Sequence, residues 1–281
     1  MNRLAVILPF AATAAAAAIA SPIVIERSAV QQMEDGPTVT LDYEFRPGEQ
    51  VYFNFRLAKF ETVENDDKQK LELAYRIEVV DADGTPVVEP KTGKIVTEML
   101  PEDRNWTPKG RWDFALPDHA EDGKYKITLI AQDLIGKSEA RATTVFSVRN
   151  RRVERSDTLV VRSFGFLARE ESVKALDPAV YHSGELVWVK FDLTGFKLGA
   201  QNEIDVQYGL TVLEPSGKVS FTQPDAAREK FQGLYPKRWV PAVFNLTLPG
   251  NVTKGVYTLV LAIHDQVGKQ DLELRREFTV E

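Results

Sequence analysis

The sequence predicts an all-β protein: two tandem antiparallel β-sandwich domains related by internal duplication, preceded by an N-terminal signal peptide. Three observations carry this expectation. Apolar and polar residues alternate with a period of two. Tyr125, Ile127, Leu129 and Ala131 interleave with Lys126, Thr128 and Ile130, and Leu272, Leu274, Phe278 and Val280 with Glu273, Arg275, Glu277 and Thr279. Such patterning marks antiparallel strands with one face on a core and the other in water. The stretch "YKITLIAQDLIGKSEARATTVFSV" (125–148) returns as "YTLVLAIHDQVGKQDLELRREFTV" (257–280). No long stretch keeps a helical period, and only "QPDAAREKFQ" (223–232) offers a helical turn or two.

Along the chain, "MNR" and the apolar run "LAVILPFAATAAAAAIA" lead to Ala18 and Ala20 before Ser21 and Pro22. Small residues at those positions predict a signal peptide over 1–20, cut after Ala20. Pro9 and the alanine content favour a cleaved signal over a permanent span, so no stable membrane segment is expected in the mature chain. Export to a bacterial periplasm or medium follows. Cysteine is absent from all 281 residues, which excludes disulfides, thiolate metal sites and cysteine nucleophiles. An exported chain without disulfides must be held by its cores, which suits domains of about 100 residues or more. A net charge of −6 argues against a nucleic-acid partner, because phosphate binding needs a basic face.

The remaining elements recur in order. "GEQVYFNFRLAKF" (48–60) matches "GELVWVKFDLTGF" (184–196), and "LAYRIEVVDADG" (73–84) matches "VQYGLTVLEPSG" (206–217). "WDFALP" (112–117) matches "FNLTLP" (244–249), with Gly123-x-Tyr125 facing Gly255-x-Tyr257. "SPIVIERS" (21–28) and "TLVVRSFGFLARE" (158–170) open the two copies. The predicted organisation is a first domain at 21–148, an exposed charged linker "RNRRVERSD" at 149–157 with solvated basic residues, and a second domain at 158–281.

Pro-Gly-Glu or Ser-Gly-Glu before an aromatic strand, Val-x-Asp-x-x-Gly at a hairpin and Gly-x-Tyr before the penultimate strand resemble bacterial immunoglobulin-like modules. The likeness is to the fibronectin type III or macroglobulin-like kind. It implies Ig-like sandwiches and brings no catalytic residues. The cysteine pair and tryptophan of antibody domains are absent.

Chemistry-bearing motifs are few. His119, His182 and His264 have no metal-ligand spacing, and "DADG" (81–84) lacks the later acidic residues of a calcium loop. No nucleophile elbow, P-loop or dinucleotide fingerprint occurs. No enzyme activity, cofactor or metal is expected. The repeated Asp133, Gly136 and Asp265, Gly268 read as structural turns, with each Asp bonding backbone amides and each Gly taking a positive φ. The long connections 89–112 and 220–241 carry the binding expectation, through Trp106, Arg111, Phe231, Tyr235, Arg238 and Trp239. These types bury much area at low entropic cost. The expected partner is a protein or a cell-envelope polymer. Alternatives are a carbohydrate stacked on Trp239 and Tyr235, or a strand edge donated by a periplasmic assembly chaperone.

Overall fold

The computed structural model describes residues 22–103 and 106–281. The predicted signal segment, 1–20, lies outside the described residues. The chain is all-β, with short 3-10 turns at Pro101–Asp103 and Ala200–Asn202. No helix among the described residues is long and apolar enough to cross a membrane.

The N-terminal half contains β1 (Val24–Gln31), β2 (Glu44–Phe45), β3 (Gln50–Ala58), β4 (Val63–Asn65), β5 (Lys68–Val80), β6 (Lys91–Met99), β7 (Lys109–Ala115), β8 (Gly123–Asp133) and β9 (Ser138–Val148). One sheet runs β1-β3-β7; the other runs β2-β9-β8-β5, with β4 and β6 also paired to β5. The C-terminal half contains β10 (Val160–Leu167), β11 (Val180–Tyr181), β12 (Leu186–Thr194), β13 (Ile204–Leu213), β14 (Val219–Phe231), β15 (Trp239–Thr247), β16 (Gly255–Asp265) and β17 (Gln270–Val280). Its sheets run β10-β12-β15 and β11-β17-β16-β13-β14, so the strands pair in the same order as in the first half. In both halves a two-residue strand joins the last strand in parallel.

Period-2 patterning places the cores. In β3 the residues Val51, Phe53, Phe55 and Leu57 are buried, and their alternates face outward. In β8 and β16 the buried sets are Tyr125, Ile127, Leu129, Ala131 and Tyr257, Leu259, Leu261, Ile263. Each buried Val, Leu, Ile or Phe side chain among them contributes about 1.5–3 kcal/mol of transfer free energy. Each half closes its own apolar cluster between its two sheets. The Gly-x-Tyr motif has a specific task in both. Tyr125 Oη donates to the Glu121 carbonyl at 2.9 Å, and Tyr257 Oη to the Thr253 carbonyl at 2.8 Å, tying each strand start to its preceding corner.

Two expectations need correction. "QPDAAREKFQ" is not helical, since 223–231 belong to β14, paired with β13 from Ile204 opposite Phe231 to Tyr208 opposite Ala227, and again at Leu210 opposite Gln223, with a bulge at 224–226. A bidentate Arg228–Asp205 pair (2.7 and 2.6 Å) fastens that register. The ladder through 227–231 outweighs the weak helical preference of a short Ala-Ala-Arg-Glu-Lys run. For the same reason the long connections 89–112 and 220–241 are largely edge strands, β6 and β14, rather than loops.

The second correction concerns the repeated turn. Asp133 Oδ1 accepts from the amides of Ile135 and Gly136, and Oδ2 from the amide of Glu61 at 2.7 Å. Asp265 repeats this with Val267, Gly268 and Lys197. The positive φ, however, falls on Lys137 (52°) and Lys269 (54°) rather than on the glycines. Gly is required instead by the approach of the carboxylate: a Cβ on Gly136 would lie 2.6 Å from Asp133 Oδ2, and one on Gly268 2.2 Å from Asp265 Oδ2. Asp265→Ala therefore strands several turn amides. The expected loss is about 2–3 kcal/mol in urea unfolding, against little change for Lys269→Ala.

Candidate functional site: the junction between the halves

Of the six residues assigned to binding, Phe231, Tyr235, Arg238 and Trp239 gather where the two halves meet. Tyr235 precedes β15, yet its ring enters the apolar cluster of the N-terminal half and is 3% exposed. Its hydroxyl lies 3.3 Å from Tyr125 Oη and 3.1 Å from Asp81 Oδ2. Tyr125 spends its proton on the Glu121 carbonyl, so Tyr235 donates to Asp81. Burial raises the pKa of both phenols, which keeps them neutral donors.

Arg238 lies beside this ring, 5.5 Å from its centroid. Its Nη1 is 3.2 Å from Glu121 Oε2 and 3.4 Å from Asp81 Oδ2, and its Nη2 donates to Thr85 Oγ1 at 2.7 Å. Asp81 has a second duty. Its Oδ1 accepts from the amides of Asp83 and Thr85, folding the "DADG" hairpin. One carboxylate thus shapes the tip of the first half and receives the cation of the second. Removing charges from water in this way is costly unless they are paired and hydrogen-bonded.

The segment 149–157 is pinned rather than solvated. Arg155 bonds Asp83 at 2.6 Å and also pairs with Glu121. Burial opposes the charge of Arg155, but these two acids outweigh that and raise its pKa, while Arg155 lowers that of Asp83. Arg151 pairs with buried Asp192 and covers the Trp239 ring at 4.8 Å. Asn150 Nδ2 donates to the Ala120 carbonyl at 2.7 Å, and Val153 is buried. The basic residues find acids on both neighbouring halves, which the linear sequence does not place near them.

His119 closes the junction. Its Nε2 is 3.0 Å from the Tyr235 carbonyl, and its ring meets Phe231 edge-on at 4.8 Å. Burial holds its pKa below the ordinary 6.5, against a smaller upward pull from the Tyr235 carbonyl. A neutral docked ring that would take up a proton once undocked makes docking strongest above 6.5 and progressively weaker as pH falls below it. The expected result is a scattering radius that grows with acidification below that pH, a dependence that His119→Gln flattens.

Trp106 and Arg111 are not brought to this cluster. Trp106 is 45% exposed in a groove with Phe60, Met99 and Leu100, at the end of β5 away from Asp81. Arg111 lies on the outer face of β7, paired with Glu34 and Asp35 at 3.0 and 3.1 Å. Sequence reasoning missed Asp81, Glu121, Arg151, Arg155 and Asp192 as partners of the cluster. For Glu121 and Asp192 a signal lies where the matching stretches differ: Glu121 stands opposite Thr253, and Asp192 opposite Arg56. No open aromatic platform exists at Tyr235 and Trp239, one ring being buried and the other covered by Arg151.

No family model matches the chain, and no curated protein is similar to it in sequence. Among solved structures it is similar to the C-terminal domain of the Streptococcus pyogenes antigen I/II-family protein AspA. That likeness has 8% identity and a TM-score of 0.33, over 93% of this chain and 99% of that one. It is also similar to red sea bream transglutaminase, at 9% identity and a TM-score of 0.26, over 93% of this chain and 31% of the enzyme. A family 123 glycoside hydrolase from Clostridium perfringens gives 11% identity and 0.29, over 44% of this chain and 27% of the hydrolase. None of these likenesses bears on activity or partner.

Proposed function

We propose that this chain is an exported, non-catalytic binding protein of two Ig-like β-sandwich modules that arose by duplication. It engages a protein or a cell-envelope polymer. The boundaries are those of the sequence reading, 21–148 and 158–281, with 149–157 between them. The shared strand order and the twin tyrosine–carbonyl bonds support duplication. The observation that carries the functional reading is the junction itself. A cluster of aromatic and charged side chains around Tyr235 and Arg238 is spent on joining the chain's own halves. A protein so built holds two modules at a set spacing and angle, which serves presentation of surfaces to a partner.

Affinity capture by the mature chain from its own envelope extract, followed by mass spectrometry, tests this reading. The expected result is a defined envelope component whose recovery falls when Tyr235→Ala loosens the junction. Recovery of a substrate that the purified chain converts would overturn it. Cell fractionation tests export, since a chain retaining residues 1–20 in the membrane contradicts the cleaved signal.

One observation favours a second reading, strand donation in the manner of an assembly chaperone. β14 is a long outer edge of its sheet, with Val219 and Phe221 about half exposed. Such an edge offers unpaired backbone groups to an extended client, and co-purification with a subunit peptide would distinguish it.

A further inference from the structure

The outer face of sheet β1-β3-β7 sets Arg27, Arg56 and Lys109 side by side in one row across three strands. Directly opposed residues on one face have Cβ atoms about 4.5–5.5 Å apart, and like charges there repel. Among the described residues none of the three forms an ion pair; Arg27 donates only to Thr38 Oγ1, at 3.0 Å. The residues outside the described ranges, 1–21, Arg104 and Asn105, include no Asp or Glu. The row borders a groove of about 390 Å³ floored by Ala29 and Asn54. At the groove's far end Arg111 is already neutralised by Glu34 and Asp35. A chain of net charge −6 thus keeps a block of uncompensated positive charge on one face.

The C-terminal half shows how the same face is completed. Its equivalent row reads Arg162, Asp192, Pro241, with Asp192 standing where the repeat places Arg56. Asp192 is 1% exposed, and residues 149–157, without strand or helix, meet this face through Arg151 and Glu154. Arg151 of that segment meets Asp192, and Glu154 meets Arg162 at 3.5 Å. The face is a seat for an extended peptide whose charge complements the row. In the N-terminal half the centre of the row is inverted to Arg56. The stretch of chain in the corresponding place, ahead of β1, has no acid to offer.

We infer that the β1-β3-β7 face is the docking site for an extended acidic peptide segment of a partner protein, with Arg27, Arg56 and Lys109 binding its carboxylates. Arginine forks bind carboxylates in bidentate fashion and confer orientation as well as attraction. The inference rests on the binding-protein reading and names the chemistry of the partner.

The test is titration of the purified mature chain with a fluorescent oligo-glutamate peptide, with oligo-lysine of equal length and inorganic tripolyphosphate as counter-probes. The expected result is saturable binding of oligo-glutamate alone among the peptides, weakening as salt rises. Amide shifts on binding should centre on Ala29, Asn54 and Gly110. Arg56→Asp, which installs the residue of the other half, lowers affinity about tenfold or more. Lys190→Asp makes the same charge change on the outer face of β12 and leaves binding unaltered. Should Arg56→Asp fail to fold, a variant with Arg27→Gln and Lys109→Gln is read in the same way. Undiminished binding by these variants overturns the inference. So does tripolyphosphate binding more tightly than the peptide at the same residues, which would assign the face to phosphate. Envelope capture that survives Arg56→Asp would leave the binding-protein reading standing and sink this one alone.

Discussion

Tyr235→Ala is expected to destabilise the N-terminal half, although the residue belongs to the chain of the C-terminal half. Its ring is 3% exposed inside the first half's apolar cluster, and its hydroxyl serves Asp81. Truncating a buried aromatic leaves a cavity and costs about 3–5 kcal/mol. Calorimetry should show a lower first transition, separated from that of the C-terminal half, where the wild type unfolds with its halves coupled. Small-angle scattering should show a longer, more variable particle. Tyr235→Phe keeps the ring and removes one hydrogen bond, so its cost falls to about 1–2 kcal/mol. Coincident transitions in Tyr235→Ala at the wild-type temperature would show that the ring does not couple the halves.

Arg238→Ala is the second large effect. The guanidinium is the shared partner of Asp81 and Glu121, whose side chains are 4% and 13% exposed. Removing one member of a buried pair leaves uncompensated charge and costs about 3–5 kcal/mol. Arg238→Lys should recover little, because an ammonium cannot span two carboxylates and Thr85 as a planar fork does. Asp81→Ala also strands the amides of Asp83 and Thr85, so the double variant should be less stable than either single variant, yet by less than the sum of the two losses. Equilibrium unfolding of the two single variants and the double variant measures that coupling, about 0.5–3 kcal/mol for residues in one network. Simple additivity of the two changes would contradict a direct interaction.

The strands were legible because each reports itself locally. β8 and β16 show their buried faces at every second residue, and Gly-x-Tyr marks where both begin. The Asp-x-x-Gly-Lys turn was legible as a turn, yet the glycine's task was not. Whether Gly136 answers to φ or to a carboxylate 2.6 Å away depends on where Asp133 points. The edge strand β14 was hidden because its residues 223–231 carry no alternation of their own and are strand only through β13. The aromatic and basic residues of "YPKRW" stood out in the sequence as candidates for binding a ligand, and in the structure Tyr235 and Arg238 meet groups of the N-terminal half. The identity of those partners was out of reach, since Tyr235 and Asp81 stand 154 residues apart in different halves of the chain.

By itself the sequence determined the all-β architecture, together with expectations of a two-part plan and of export. Alternation, turn chemistry and repetition are properties of neighbouring residues or of one stretch compared with another, and they need no third dimension. Only the tertiary structure decided what the distinctive residues do. It turned a presumed linker into a clasp through Arg151 and Arg155 and folded Tyr235 into the other half's core. It also left Arg27, Arg56 and Lys109 facing outward without acids. Ion pairs and buried hydroxyls are set by distances across the chain, and a charge's meaning depends on whether folding brings its opposite within reach.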